Sequence, residues 1–177
     1  MKHNLTVADC AAELDVTETI RAGIAALLPQ AQAATLMHEV MKLPVRRSHA
    51  LRSLGSYISK GGQPVCIRLQ FRQEPDLLAE TLLHEIAHLC DHLSNQHGRP
   101  YRQAHGHGWQ AWAQAFGIRA RRTGKSQVLC DIHEQRLKLV AVCLGCGLEV
   151  RRLRRLNRGT RYIHPGCGGR LQPVDVS

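Results

Sequence analysis

Pro75–Asn95, PDLLAETLLHEIAHLCDHLSN, is the stretch whose reading decides this chain of 177 residues. Leu78, Leu82, Ile86, Leu89 and Leu93 recur at helical spacing and mark one apolar face. At its centre stands His84-Glu85-Ile86-Ala87-His88. Positions i and i+4 lie one above the other on a helix, so His84 and His88 can grip one metal ion from a single turn. Two imidazoles presented in this way suit Zn²⁺. Glu85 is not placed as a ligand from that turn. It sits beside the metal, where a carboxylate can take a proton from a water that the ion acidifies to a pKa of about 7, and then pass it to a leaving amine. These are the parts of metal-assisted peptide hydrolysis.

A catalytic zinc site takes three protein ligands and keeps one position open. Six histidines (His84, His88, His92, His97, His105 and His107) fall within 24 residues. Asp91, His92, His97, His105 and His107 are the candidates for the third ligand. A helix over residues 105–116, closed by Gly117, sets Trp109, Trp112 and Phe116 on one apolar face with His105, which favours His105. His107 lies about 200° around that helix and is the runner-up.

Working outward, residues 14–43 predict helix, with capping-box spacing at Asp15 and Glu18 and a break at Pro29. After the turn signal Gly61-Gly62, residues 65–71 alternate as a strand, with Val65, Ile67, Leu69 and Phe71 on one face. Gly55-Ser56-Tyr57 belongs to a preceding strand. The 65–71 strand is expected to form a sheet edge along which an extended peptide lies. The expected fold class is α+β, with the HEIAH helix packed on a small sheet. The expected organisation is an N-terminal helical segment (1–48), a catalytic core (49–124) and a basic module (125–177).

Composition separates that module. Lys and Arg number 24 against 14 Asp and Glu, a net charge of +10, of which +9 falls in residues 117–177. Such a tail suits a polyanion, with a phosphate backbone the commonest case. The chain shows no signal-peptide pattern and no apolar run of the ~20 residues that a membrane span needs. A cytoplasmic protein with reduced thiols, nucleoid-associated if bacterial, is therefore expected. Of the seven cysteines, Cys10, Cys66 and Cys90 read as buried thiols. Cys143-Leu-Gly-Cys146-Gly is a zinc knuckle, and His164-Pro-Gly-Cys167-Gly repeats it with His in the first place. Together they predict a structural zinc held by Cys143, Cys146, His164 and Cys167, with Cys130-x-x-His133 as the competing pair. Val150, Leu153 and Leu156, the turn at Asn157-Arg158-Gly159, then Tyr162 and Ile163 predict a β-hairpin in a zinc ribbon. It carries Arg151, Arg152, Arg154, Arg155, Arg158 and Arg161, which can follow a phosphate backbone with little sequence preference.

HEIAH, followed after a loop by His105-Gly106-x-x-Trp109 and Gly117, resembles the SprT-like zinc metalloprotease family (SprT and Spartan type). The stretch GIRARRT at 117–123 is similar to the segment after this helix in bacterial SprT proteins, and the resemblance extends over roughly residues 50–172. It implies a zincin-like metalloprotease domain with a C-terminal zinc ribbon, a catalytic zinc on His84, His88 and His105, Glu85 as the catalytic residue, and a second, structural zinc. The family usually has a cysteine where His164 stands. The implied substrates are proteins bound or crosslinked to DNA. Tyr57, Tyr101 and His107 are candidates for stabilising the oxyanion. The competing reading is a nucleic-acid-binding zinc protein without enzymatic activity.

Overall fold

The computed structural model describes residues 5–95, 99–102, 104–119 and 124–174. Among these no helix is long and apolar enough to cross a membrane. The chain divides into two compact units, Met1–Leu129 and Cys130–Ser177, and is mixed α and β.

The first unit opens with three helices, α1 (Val7–Glu13), α2 (Thr17–Leu27) and α3 (Gln30–Lys42). A capping box starts α1: the Thr6 hydroxyl accepts the Asp9 N–H, and the Asp9 carboxylate accepts the Thr6 N–H. The box expected at Asp15 and Glu18 does not form. Asp15 instead occupies the left-handed region, φ 53°. The N–H groups of Asp15 and Val16 bond back to the carbonyls of Ala12 and Ala11, which closes α1 in a Schellman-type turn. That turn uses the residues that would have capped α2. Pro29 separates α2 from α3 as its fixed φ requires, with Leu28 pushed into extended conformation.

A three-stranded sheet follows, β1 (Val45–Arg47), β2 (Gly55–Lys60) and β3 (Gln63–Leu69), in the order β1-β3-β2. Gly61 and Gly62, both at positive φ, make the two-residue turn between β2 and β3. The expectation that the 65–71 strand is an edge is corrected. β3 is central, paired parallel with β1 and antiparallel with β2. Its alternation, with Ile67 and Leu69 fully buried and Arg68 exposed, suits a central strand with one face on the core, and β1 and β2 are the two edge strands. Helix α4 (Pro75–Asn95) lies against β2 and β3.

Helix α5 spans His107–Ala115 and packs on α4 and α2. It starts two residues later than the sequence predicts. His105 stands before it at φ 67°, and Gly106 is its N-cap. Ile20, Ile24, Val40, Ile67, Leu82, Ile86, Leu89, Trp109 and Trp112 share one core, so the N-terminal helices and the HEIAH helix are buried together. Helix α6 (Gln127–Gln135), which the sequence reading did not anticipate, begins where the Glu74 carboxylate accepts the N–H groups of Gln127 and Val128 at 2.8 and 3.3 Å.

In the second unit the sheet order is β5-β4-β6, with β4 (Lys138–Cys143) between β5 (Glu149–Arg152) and β6 (Leu171–Pro173), both antiparallel to it. The predicted hairpin within residues 150–163 is therefore corrected. The partner of the Val150 strand is β4, residues 153–162 carry no strand, and Ile163 makes an isolated bridge with Arg170. The apolar run at 139–144 supplies the buried side of the sheet through Val140, Ala141 and Cys143. A segment this dense in arginine has no comparable face to bury.

Candidate metal centres

The middle of α4 is buried nearly all round. Its hydrophobic face meets the core, while Thr81, Glu85, His88, Asp91 and His92 form an inward polar stripe. Buried polar groups need partners, and each member of the stripe has one within reach.

His84 and His88 stand one turn apart, with their Nε2 atoms separated by 3.2 Å. His105 comes from the turn before α5, and its Nε2 lies 3.1 Å from that of His84. Three nitrogens bound at roughly 2.0–2.1 Å to a tetrahedral zinc would be about 3.3 Å apart, so the spacing and the all-imidazole donor set fit that ion. The left-handed backbone at His105 aims its ring back at α4. The expectation that His105 reaches the site from a helical face is thereby corrected, although His105 is the side chain that arrives. His107 opens α5 and is exposed outside the cluster. Trp109, 1% exposed, wedges against all three imidazoles: its ring centroid is 4.7 Å from His84, 5.3 Å from His88 and 4.6 Å from His105. Its indole N–H donates to the His84 carbonyl at 3.3 Å. That locking role went unread in the sequence, and the +4 spacing from His105 was its only trace.

Burial, reinforced by the neighbouring imidazoles, holds His84 down at about 4 and His88 at about 3. Both rings are neutral at pH 7, the form that ligates metal. Burial pushes the Glu85 carboxyl up to about 7, opposed by the backbone N–H of Tyr57. A cation at the imidazoles would draw it back down. Gly55 permits the close approach of β2 to this helix: a Cβ there would lie 2.8 Å from Thr81 Cγ2 and 3.0 Å from Glu85. Beside the imidazoles runs an open cleft of about 560 Å³, lined by Arg52, Gly55, Glu80, His84, Glu85 and Arg119 among others.

The remaining ligand candidates are engaged elsewhere. Asp91 accepts from Asn95 Nδ2 at 2.8 Å and from the Tyr101 hydroxyl at 3.0 Å. His92 Nε2 faces the Arg99 carbonyl at 2.9 Å and must carry the proton, so its Nδ1 accepts from the Tyr57 hydroxyl at 2.6 Å. His97 lies outside the described residues. Tyr57 and Tyr101, two of the three candidates for stabilising the oxyanion, are thus committed to this partly buried network.

In the second unit, Cys143, Cys146, His164 and Cys167 bring their ligand atoms within 4.8 Å of one another. The sulfurs of Cys143 and Cys167 are 3.4 Å apart, and His164 Nδ1 lies 3.3 Å from Cys146 Sγ and 3.2 Å from Cys167 Sγ. Gly147 and Gly168 take φ 71° and 70° after the second ligand of each knuckle. Burial opposes ionisation of the Cys143 thiol, yet the N–H groups of Cys146 and Gly145, with the Cys167 and Cys146 side chains, bring it down to about 6. A thiolate is thus available to a metal at neutral pH. Cys130 and His133 lie on α6 and are not part of this group.

Arg151 and Arg152 lie on β5, and Arg151 pairs with exposed Glu149 at 3.1 Å. Arg155, Arg158 and Arg161 line a hollow of about 310 Å³ together with Asn157, Thr160 and Arg170. Arg170, absent from the sequence-based set, is brought there by long-range backbone pairing: the Ile163–Arg170 bridge and the bonds from the Leu144 N–H to the Arg170 carbonyl and from the Leu171 N–H to the Tyr162 carbonyl. Arg154 lies beside Arg152 in a neighbouring hollow.

Comparison with curated proteins and with solved structures gives no match. Among protein-family models, that of the SprT-like family matches residues 63–127. The span begins on β3 and takes in α4, the three converging imidazoles, Glu85 and Trp109, so the segment that carries these side chains is similar to the SprT-like family.

Proposed function

We propose that the chain is a zinc-dependent endopeptidase of zincin-like design that acts on proteins held on or crosslinked to DNA, in the cytoplasm. The observation that carries the reading is the convergence of the His84, His88 and His105 Nε2 atoms, on a cleft that also presents the buried Glu85 carboxyl. Zinc held by the three imidazoles would supply Lewis acidity toward a peptide carbonyl and toward water. Glu85 is the proton carrier. Its carboxylate takes the proton of the attacking water and returns it to the departing amine. The Tyr57 N–H orients that carboxylate. β2 is an edge strand, and Gly55, at its start, lines the cleft. An extended substrate segment can add to this edge through main-chain hydrogen bonds, so the cleft makes little demand on side-chain identity. In the second unit, a zinc on Cys143, Cys146, His164 and Cys167 is structural. The arginines around the 155–161 hollow, with Arg151, Arg152 and Arg154, hold the phosphate backbone of DNA and bring the peptidase to its substrates.

The test is Glu85→Gln, assayed with a DNA-bound protein substrate. The variant keeps wild-type zinc content and loses about 10²–10⁴-fold in cleavage rate, the usual scale for a positioned proton-transfer group. Undiminished cleavage by the variant refutes the role of Glu85. Absence of cleavage by the zinc-loaded wild type, with DNA binding intact, favours a binding protein without enzymatic activity.

A further inference from the structure

The polar stripe on α4 continues past the ligands, and its donors and acceptors can be assigned one by one. Asp91 is buried, 4% exposed, three residues beyond His88. Its carboxylate only accepts hydrogen bonds. The Tyr101 hydroxyl, 3.0 Å from Asp91 Oδ2, has one proton and donates it there. The same hydroxyl oxygen lies 2.9 Å from His88 Nδ1 and, its proton spent, can only accept. His88 Nδ1 must therefore carry the ring proton. That leaves the lone pair on Nε2, the atom facing His84 3.2 Å away.

We propose that Asp91 and Tyr101 are positioning residues: they fix the tautomer and ring orientation of His88, so that the nitrogen facing the other two imidazoles is already free of its proton. Partners of this kind behind a metal-bound histidine typically contribute about 10–100-fold to metal affinity. Here a phenol is interposed between carboxylate and imidazole, one hydroxyl touching both Asp91 and His88. The inference rests on the zinc reading of the imidazole site, and its tests include one that needs neither metal nor catalysis.

In metal-free wild-type protein, long-range ¹⁵N–¹H correlation of the imidazoles is expected to show His88 as the Nδ1–H tautomer. Finding the Nε2–H tautomer, which predominates in free histidine, overturns the proposal. Tyr101→Phe keeps the ring and removes the acceptor. It should move His88 toward the Nε2–H form and weaken zinc binding, measured by chelator competition, by about 10–100-fold. Unchanged zinc affinity in a folded Tyr101→Phe protein likewise overturns the proposal. Asp91→Asn retains shape and an acceptor oxygen but frees the direction of the Tyr101 hydroxyl. It should give a mixed His88 tautomer and an intermediate loss, whereas a tautomer unmoved in this variant refutes the part assigned to Asp91. If wild-type His88 shows the expected tautomer and the protein nevertheless fails to hold zinc, the functional reading falls while the positioning network stands.

Discussion

Gly108→Ala is the substitution that most directly tests how α4 and α5 are joined behind the metal site. Gly108 is the second residue of α5, and a Cβ there would lie 2.1 Å from Asp91 Oδ1 and 2.8 Å from Asn95 Nδ2. Ordinary contact begins at 3.4 Å, so the methyl intrudes by about 1.3 Å. A free carboxylate would swing aside, but Asp91 is buried and held by Asn95 and Tyr101. Rotating it away sacrifices hydrogen bonds to a charged group, about 1.5–3 kcal/mol each. The gain in helix propensity offsets at most ~1 kcal/mol of that. The alternative is for α5 to back away, which carries off His105, whereas zinc–ligand distances tolerate only about 0.2 Å. Both escapes reach the site, one through His88 and the other through His105. Zinc affinity by chelator competition should fall at least ~10-fold, and the thermal midpoint of the metal-free protein should drop. A Gly108→Ala protein with wild-type zinc affinity and midpoint would refute this account of the helix junction.

Other outcomes follow from other parts of the structure. The Ser126 hydroxyl, with the N–H groups of Val128 and Gln127, holds the Glu74 carboxyl below its ordinary value of 4.5. A group depressed in the folded state contributes stability that is present above 4.5 and lost as pH falls through the lower folded value. Glu74→Gln should therefore flatten the acid side of the stability–pH curve, measured by urea unfolding between pH 3 and 6, while an unaltered curve would show that the cap contributes nothing. DNA affinity should fall steeply with salt, with a log–log slope of about −0.7 to −0.9 per phosphate neutralised. Paired alanine substitution of Arg158 and Arg161 should shallow that slope by nearly 2, and Cys143→Ser, which removes a member of the proposed structural site, should abolish binding; a slope unmoved by the arginine pair refutes the role proposed for those two residues.

What could be read from the chain itself was local and periodic. The HEIAH turn, the two Cys/His knuckles with their glycines, the helix over residues 75–95 and the Gly61-Gly62 turn all depend on residues within a few positions of each other, where backbone geometry leaves little choice. The apolar-face argument favours His105 for a reason that the fold does not use: His105 stands ahead of α5 in a left-handed turn and does not share that helix's apolar face. That β3 is the central strand of its sheet, that β4 is the partner of the Val150 strand, and that Arg170 joins the basic hollow were decided by pairings between distant segments, which periodicity does not encode. Asp91, His92, Tyr57 and Tyr101 make the same point most sharply. As residue types they suit direct ligation or oxyanion binding. Only the packing of α4 against β2 and the segment around Tyr101 turns them into a buried hydrogen-bond network behind the ligands, because the direction of a hydrogen bond depends on what stands opposite each group in three dimensions.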